Sequence, residues 1–339
     1  MTDANRTTDN TDATKANFAD LSPDLVLDAL DAVGVRGDGR LLALNSYENR
    51  VYQVGRDDAP PLVVKFYRPA RWSDAQILEE HAFVNRLVAQ ELPVVPAMAL
   101  ADGATLHTFN GFRLAVFERH SGRAPELEQP GTLEWLGRFI GRIHAIGAVQ
   151  PFALRPSLTI KTFGEDSRDY LQANDFLPPE LRTAYFSVLA QALDGVRHCF
   201  DRAGATAMIR LHGDCHCGNV LWTDAGPHFV DFDDSRMGPA IQDLWMLLSG
   251  ERSDQIRQFA DLLAGYEDFM EFDSRELHLI EGLRTLRLMH YSAWLARRWD
   301  DPAFPLAFPW FNTQRYWQDR ILELREQVAL MAEPPLWVS

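Results

Sequence analysis

The sequence predicts an α+β chain of two lobes, because a β-rich front precedes a long helical back. Short apolar runs bounded by turn residues are typical of strands, and they lie in the front at 41–44, 51–54, 62–67, 94–100 and 112–118. From Gly131 onward, apolar residues recur at helical spacing instead. We therefore expect a polar tail at 1–20, a small N-terminal lobe at 21–118 and a larger C-terminal lobe at 119–339, with a cleft between the lobes.

Capping residues and prolines in the sequence indicate where helices begin and end. The helix after the third strand begins at Ser73, where Gln76 completes a capping box, and it stops near residue 90, before Pro93. Further helices are expected near 23–33, 131–147, 179–203, 239–249, 254–270, 274–299 and 312–330. Proline and phenylalanine crowd residues 302–309, which we interpret as a loop, and a β hairpin at 219–231 interrupts the helical half.

Composition excludes several classes of partner. The chain of 339 residues has 33 Lys and Arg against 48 Asp and Glu, a net charge of −15. Nucleic acids and anionic membranes require a basic face that displaces counterions, so we expect neither as a partner. Only three cysteines are present, and the sequence has neither a membrane-length apolar run nor the apolar core of a signal peptide. We expect a soluble, cytoplasmic monomer.

The segment 211–234, LHGDCHCGNVLWTDAGPHFVDFDD, carries the chemistry. Asp214 is followed five residues later by Asn219 in one tight loop, and the expected hairpin returns the chain to Asp231. Phosphoryl transfer needs a carboxylate that accepts the proton of the attacking hydroxyl and further oxygen ligands that hold Mg²⁺ against the phosphates. The spacing therefore predicts a kinase that uses ATP and Mg²⁺.

Lys65 lies inside an apolar run of the third strand, where a charged side chain needs a partner or a ligand. In kinases a strand lysine binds the α- and β-phosphates and is held by a glutamate of the following helix. Glu79 and Glu80 both lie in the first turns of that helix. Glu80 shares a face with Val84 and Leu87, so we choose it as the partner and keep Glu79 as the alternative.

Three other features limit the interpretation. The run CHC at 215–217 resembles a metal cluster, but adjacent ligands cannot all close on one Zn²⁺. His144, at the end of an apolar helix face, is expected to be a packed or capping residue. Only seven residues separate Asp231 from the helix start expected at Pro239, so an activation segment with a regulatory phosphosite does not fit.

Around these residues the chain resembles the aminoglycoside phosphotransferase/choline kinase family, which has a two-lobed protein-kinase-like fold. HGDCHCGN, VDFDD and GPAIQDLWMLL are similar to the HGDxHxxN loop, the Asp-bearing strand and the GxxxxDL helix of that family. The strings LNSYENRVYQV, VVKFYRP and QILEEHAF are similar to a branch of bacterial stress-response Ser/Thr protein kinases. The likeness extends over nearly all of the chain after residue 20.

On the catalytic side, the resemblance implies a role for four residues. Asp214 is the implied proton acceptor, and Asn219 and Asp231 are the implied Mg²⁺ ligands, with Asp231 also counted as catalytic. Asp243 is implied to brace the catalytic loop from its helix. Cys217 departs from the usual pattern of the loop without removing a catalytic group.

On the nucleotide side, the first hairpin should cover ATP, although its turn at 46–50 contains no glycine. Its amides and the Ser46 hydroxyl can donate to phosphate oxygens, while a plain polar turn is the alternative. The resemblance implies Ser46 as a contact to ATP. It also implies that the hinge that holds adenine lies at Phe117, Glu118 and Arg119.

Three hypotheses follow. The first is a protein kinase that transfers the γ-phosphate of ATP to Ser or Thr hydroxyls, its own included, with a role in stress response. The second is a small-molecule kinase of the aminoglycoside, choline or homoserine kinase type. The third is a pseudokinase that binds nucleotide as a scaffold, which the complete set of catalytic groups disfavours.

Overall fold

The computed structural model describes residues 18–336 and shows a mixed α+β chain, which confirms the predicted fold class. Two compact units are present. The first contains the described residues up to His81 together with Val95–His120, and the second contains Ala82–Val94 and the described residues from Ser121 onward. None of the described helices is both long enough and apolar enough to cross a membrane.

The first unit is built on a five-stranded antiparallel sheet with the order β1-β2-β3-β5-β4. Its elements, in chain order, are α1 (Pro23–Ala32), β1 (Leu41–Ala43), β2 (Arg50–Val54), β3 (Leu62–Phe66), α2 (Asp74–Val88), β4 (His107–Phe109) and β5 (Phe112–Glu118). Helix α2 begins in this unit and ends in the second. The register places Lys65 in the central strand, between Val51 and Ala115.

The two faces of this sheet have separate apolar clusters because strand side chains alternate. On one face, Val64 and Phe66 pack in a cluster that includes Leu30 of α1. On the other face, Ala115 of β5 packs with Ile77 of α2. Lys65 belongs by alternation to the α2 side, and it is 9% exposed. The lysine predicted from the apolar run is therefore a buried cation in the middle of a sheet.

Two predictions for this part of the chain were wrong. Residues 94–100 form no strand, because Pro93 and Pro96 lack the amide that a ladder needs, and only single bridges occur at Val94 and Ala97. Strand β4 was missed although it has a sequence signal. Asn110 and Gly111 both have positive φ, 46° and 80°, which is the geometry of a tight hairpin turn between β4 and β5.

The second unit is mostly helical. Its helices are α3 (Thr132–Gly147), α4 (Asp166–Ala173), α5 (Pro179–Ala203), α6 (Ile241–Trp245), α7 (Arg252–Tyr266), α8 (Ile280–Arg297), α9 (Ala303–Ala307) and α10 (Gln314–Met331). Two small antiparallel ladders interrupt them, one between β6 (Ile209–Leu211) and β9 (Arg236–Gly238) and one between β7 (Val220–Thr223) and β8 (Gly226–Phe229). The predicted hairpin at 219–231 is the second of these.

Several helix boundaries differ from the prediction. The helix expected at 239–249 is the short α6, and the one expected at 274–299 begins with a 3₁₀ segment, Ser274–Leu279, before α8. Residues 302–309, predicted as a loop, contain α9. Helix α4 and the π-helical turn before it, Lys161–Glu165, were not predicted. Segments this short show little periodicity, so their boundaries are set by packing.

Helices α3 and α7 cross at very short range, and glycines make this possible. A Cβ at Gly265 would lie 1.9 Å from the carbonyl oxygen of Glu134, and one at Gly137 would lie 2.0 Å from that of Leu262. No residue larger than glycine is compatible with such a backbone approach. The contact sets the last residue of α7, Tyr266, against the C-terminal half of α3, where His144 lies.

Candidate active site

The predicted catalytic loop connects β6 to β7 and depends on a tight backbone turn. Gly213 has φ 88°, and a Cβ at this position would lie 2.2 Å from the carbonyl oxygen of Asp234. Both facts require glycine. The close approach brings the residues that follow β8 up against the loop, so that the two halves of the motif are packed together.

Asp243 of α6 holds this loop through two backbone hydrogen bonds. Its Oδ2 accepts the backbone N–H of His212 at 2.8 Å, and its Oδ1 accepts that of Gly213 at 2.9 Å. The carboxylate is 1% exposed, so these are charge-assisted hydrogen bonds in a dry environment. The structure thus supplies the bracing contact that the family resemblance implies.

A buried chain of polar groups extends the anchor. His144 Nε2 lies 3.1 Å from Asp243 Oδ2, and His144 Nδ1 lies 3.0 Å from the hydroxyl of Tyr266. His144 is fully buried, as expected for a packed histidine, and it supports the loop through Asp243. Burial, followed by the nearby carboxylates Glu276 and Asp243, raises the pKa of Tyr266, so its hydroxyl stays neutral.

Glu276 supports the same helix from its other end. Its Oε2 accepts the backbone N–H of Ile241, the first residue of α6, at 2.8 Å. Burial raises the pKa of Glu276 to about 7. Sequence reasoning missed both Glu276 and Tyr266, because a buried polar residue far along the chain has no local signal.

His212 is held by both ring nitrogens. Nε2 lies 2.9 Å from the carbonyl oxygen of Val230, which can only accept, so Nε2 carries the proton. Nδ1 then accepts the backbone N–H of Asp214 at 3.3 Å. The ring also packs against Phe232, with centroids 4.4 Å apart. The side chain therefore links the catalytic loop to the end of β8 and orients the backbone at Asp214.

Asp214 lies at the centre of a cluster of donors. Its Oδ1 accepts Arg287 Nη1 of α8 at 2.8 Å, and its Oδ2 lies 3.4 Å from His216 Nε2 and 3.5 Å from Asn219 Nδ2. Burial alone would raise the pKa of Asp214, but the hydrogen bond to His216 and the charge of Arg287 outweigh it and lower that pKa. The carboxylate is ionised at neutral pH and can accept a proton.

Asn219 and Asp231 are brought together by the β7–β8 ladder. Val230 N donates to Asn219 O at 3.0 Å, so Asp231 emerges beside Asn219. The Asn219 amide donates to Asp214 O at 2.9 Å, which fixes its orientation. Asp231 has φ 62°, a left-handed conformation that turns the chain sharply after β8, and it is exposed to solvent.

This pair of oxygen ligands fits Mg²⁺. A carboxylate and an amide oxygen are the few protein ligands that this ion accepts when phosphate and water complete its octahedron. Within residues 18–336 there is no group of three or more His, Cys, Asp or Glu side chains that would form a site for a metal ion on its own.

The segment after Asp231 is short and ordered. Phe232–Asp234 forms a 3₁₀ turn, and β9 then pairs with β6 directly behind the catalytic loop. Arg155 donates to the carbonyl oxygens of Asp233 at 2.6 Å and Ser235 at 3.2 Å. The interval that the sequence marks as too short for an activation segment is thus part of the support of the loop.

In the first unit, Lys65 is surrounded by aromatic rings. Its Nζ lies 5.5 Å from the ring centroid of Phe117 and 5.9 Å from that of Tyr67, within the range of cation–π contacts. Of the two candidate partners, Glu80 is buried and Glu79 is half-buried. A buried carboxylate requires a cation more than an accessible one does.

The first hairpin turn is held by arginine side chains in place of glycine flexibility. Ser46 is the first residue of this turn and is half-buried. Arg68 Nε donates to Glu48 O at 2.8 Å, and its Nη2 donates to Tyr47 O at 2.9 Å. Asn49 is buried, and its Oδ1 accepts the Arg68 backbone N–H at 3.0 Å. The turn therefore has a fixed backbone.

The residues of the predicted hinge lie at the C-terminal end of β5. Phe117 forms a bridge with Ala97, Glu118 pairs with Leu62 in the sheet, and Arg119 Nε donates to Gln53 Oε1 at 2.9 Å. The first unit ends one residue later, at residue 120.

The three cysteines are free thiols with no catalytic features. Cys215 is buried and Cys217 is half-buried, and burial raises the pKa of both thiols. Their reactivity as thiolates is correspondingly low.

A carboxylate held ionised in a braced loop, next to an amide and a second carboxylate suited to Mg²⁺, defines a phosphotransferase. The chain belongs to the phosphotransferase enzyme family, whose family model (APH) matches residues 40–280. Curated relatives support this assignment over nearly the whole length. The chain is 45% identical to stress response kinase A of Escherichia coli (strain K12) over 322 residues, covering 95% of this chain and 97% of the relative. It is 44% identical, with the same coverage, to the Serine/threonine protein kinase RdoA of Salmonella typhimurium.

Solved structures share the fold at low sequence identity. The amicoumacin kinase hAmiN, in complex with AMP-PNP, Ca²⁺ and Ami, superimposes with a TM-score of 0.72 at 19% identity, covering 94% of this chain and 96% of the other. A microcompartment-associated aminopropanol kinase gives a TM-score of 0.71 at 18% identity, covering 91% and 96%.

Proposed function

We propose that this phosphotransferase is an ATP- and Mg²⁺-dependent protein kinase that phosphorylates Ser and Thr hydroxyls. The observation that carries the proposal is Asp214, an ionised carboxylate in a braced loop, five residues from Asn219. The relatives that match 95% of this chain are named as a stress response kinase and a Ser/Thr protein kinase, and these names support a protein acceptor and a role in stress response.

In the proposed mechanism, Asp214 accepts the proton of the attacking hydroxyl as the oxygen–phosphorus bond forms. His216 and Arg287 keep the carboxylate ionised until that moment. The hydrogen bond that Asn219 Nδ2 donates to the backbone carbonyl oxygen of Asp214 holds the base and the metal-binding side chain at a fixed spacing. Each of these contacts lies within the second unit.

Asn219 and Asp231 are the side chains that would hold Mg²⁺. When bound, the ion neutralises charge that develops on the phosphate oxygens. The left-handed backbone at Asp231 directs this residue away from β8 and costs strain that the surrounding packing must offset. Asp231 is therefore proposed as both catalytic and metal-binding.

For the nucleotide, Lys65 is proposed to bind the α- and β-phosphates, with Glu80 as the partner that orients it. Ser46 and the amides of its fixed turn are proposed to bind phosphate oxygens. Phe117, Glu118 and Arg119 are proposed to form the adenine hinge. Burial of Lys65 and Glu80 supports the first of these assignments, because buried charges are kept only where they are paired or used.

A small-molecule kinase is the second candidate. Solved structures with this fold are named for small acceptors, among them aminopropanol and amicoumacin, and the short interval after Asp231 leaves no activation segment. A pseudokinase is disfavoured, since the proposed base and the proposed metal ligands are all present. We further propose that the protein acts in the cytoplasm as a monomer and phosphorylates itself.

Incubation with ATP labelled at the γ-phosphate tests the acceptor class. Purified full-length protein is incubated with casein in one reaction, and with a pool of aminopropanol, choline and spectinomycin in another. Label on casein or on the chain itself is expected. Label only in the small-molecule pool would replace the proposal with the second candidate. Nucleotide binding without transfer to any acceptor or to water would favour the pseudokinase.

A further inference from the structure

Arg287 of α8 donates to Oδ1 of Asp214, the proposed catalytic carboxylate, at 2.8 Å. We propose that Arg287 is a specificity-determining residue that selects hydroxyl acceptors with a nearby negative charge, such as an acidic peptide, and rejects cationic amines. This inference rests on the proposed function, because it assigns the acceptor preference of the same site.

The geometry assigns Arg287 to the open side of Asp214. Its guanidinium contacts Oδ1, whereas His216 and Asn219 approach Oδ2 from within the loop. The side chain of Arg287 is 44% exposed, while that of Asp214 is 25% exposed. A hydroxyl that reaches Oδ1 from solvent must therefore pass beside the guanidinium.

Proton transfer to Asp214 makes the charge of Arg287 important for the choice of acceptor. Before the reaction, Arg287 and Asp214 compensate each other as an ion pair. When Asp214 takes the proton of the acceptor, its negative charge is lost and the guanidinium is left uncompensated. A negative group on the acceptor restores the balance, and a positive group adds repulsion. At the effective dielectric constant of a protein surface, a charge about 6 Å away would change the rate by about a hundredfold, and solvent screening of this partly exposed ion pair reduces the effect to about tenfold.

The neighbouring charges do not reverse this effect. Asp234 raises the pKa of Asp214 through its own charge, but it forms an ion pair of 2.5 Å with Arg236. His290 lies on the same helix as Arg287, and burial lowers its pKa to about 3, so it is neutral. His216 Nδ1 accepts the backbone N–H of Gly218 at 2.9 Å, so this ring nitrogen carries no proton and donates nothing to an incoming acceptor. Within residues 18–336, Arg287 is thus the arginine in direct contact with the proposed base.

This arrangement separates the two candidate functions. Aminopropanol is an amine and is cationic at neutral pH, and it is the acceptor named for one of the enzymes with this fold. A guanidinium at hydrogen-bond distance from the base opposes such an acceptor. An acidic protein segment is favoured by the same charge, so Arg287 is expected to direct the shared chemistry toward protein hydroxyls.

The test compares two serine peptides of equal length, one flanked by glutamates and one by lysines, together with 1-amino-2-propanol. Full-length wild type, R287E, R287K and R315E are assayed. Arg315 is a matched control because it is an exposed arginine of α10 whose reversal changes the net charge equally. Both kcat/KM and peptide binding in the presence of AMP-PNP and Mg²⁺, by fluorescence anisotropy, are measured.

Wild type is expected to prefer the acidic peptide over the lysine peptide by about tenfold or more in both measurements. R287E should abolish or invert the ratio, R287K should retain it, and R315E should leave it unchanged. Three results overturn the inference. They are equal or no binding of the two peptides by wild type, an equal loss of kcat for both peptides in R287E, and a shift in R315E as large as that in R287E.

Failure of the proposed function would give a different set of results from failure of the inference about Arg287. If no acceptor is phosphorylated by wild type, the kinase proposal fails, whereas the binding ratio and its reversal in R287E still decide the role of Arg287. If 1-amino-2-propanol is phosphorylated more efficiently than the acidic peptide by wild type, the charge selection is wrong even though phosphoryl transfer is established.

Discussion

Gly213 donates its backbone N–H to Oδ1 of Asp243 at 2.9 Å, and through this bond a residue of α6 sets the conformation of the catalytic loop. The neighbouring amide of His212 is bound by the other oxygen of the same carboxylate. Two backbone donors of the loop therefore depend on one buried side chain. Loss of its charge should affect both stability and activity.

We expect Asp243→Asn to lower the free energy of unfolding by about 3 kcal/mol, because a hydrogen bond to a charged group contributes about 1.5–3 kcal/mol and the new amide NH₂ faces donors. The turnover number should also fall, since the backbone at Asp214 is no longer fixed. Urea unfolding and steady-state kinetics measure the two effects. Asp261→Asn, an exposed position on α7, is the control and should be neutral. A stable variant with full activity would show that the loop is held by other contacts.

Asp214→Asn should lower kcat by about 10²–10⁴-fold, the usual contribution of a general base, while the affinity for ATP is kept. The amide has almost the same shape and keeps the hydrogen bond to Arg287 through its oxygen. Phosphoryl transfer from labelled ATP and nucleotide calorimetry provide the two measurements. Asp224→Asn, in the exposed turn between β7 and β8, is the matched control. Near wild-type turnover in Asp214→Asn would show that another group takes the proton.

Lys65→Met should raise the KM for ATP about tenfold or more, since one charge-assisted hydrogen bond to a phosphate contributes about 1.5–3 kcal/mol. Methionine retains the length of the side chain next to Phe117 and Tyr67, so folding should be preserved. Steady-state kinetics over a range of ATP concentrations measures the effect. Lys161→Met serves as the control because Lys161 is a surface residue in an ion pair with Asp166. An unchanged KM would remove Lys65 from the proposed nucleotide site.

Glu276 should make stability depend on pH. Burial raises its pKa from the ordinary value of 4.5 to about 7, so the folded chain binds this proton more tightly than the unfolded chain. Its contribution to stability is therefore complete below pH 4.5 and is lost as the pH rises to about 7. The displacement corresponds to about 3 kcal/mol, on the order of magnitude that such values allow.

Glu276→Gln keeps an acceptor for the Ile241 amide but removes the titration. Relative to wild type, we expect its free energy of unfolding to rise by about 2–3 kcal/mol between pH 5 and pH 8. Urea unfolding at four pH values measures this difference, with Glu271→Gln as the exposed control. Parallel pH profiles for wild type and Glu276→Gln would show that Glu276 does not titrate in this range.

The sequence predicted those features that depend on local spacing. Asp214, Asn219 and Asp231 lie in one loop and one hairpin, so their order along the chain already implies that they meet. The hairpin turn at Asn110 and Gly111 has an equally local signal in the sequence. By contrast, residues 94–100 are apolar enough for a strand, and only the geometry of two prolines prevents one.

Partners from distant helices could not be predicted. Arg287 contacts Asp214 across 73 positions of the chain, and in the sequence it is an ordinary exposed arginine of a long helix. Tyr266 reaches His144 only because glycines let α3 and α7 approach so closely. Such contacts depend on how helices cross, which periodicity does not specify. The sequence therefore predicts the proposed base but not the charged groups that surround it.

The segment after Asp231 has a consequence for how the cell controls this enzyme. Because β9 pairs with β6 and its neighbours are bonded to Arg155, the loop is assembled as soon as the chain folds. A catalytic loop held by these contacts needs no phosphorylation of this segment to reach its folded arrangement. If the proposed activity holds, we expect the rate of phosphoryl transfer to vary with the amount of protein and the supply of acceptor.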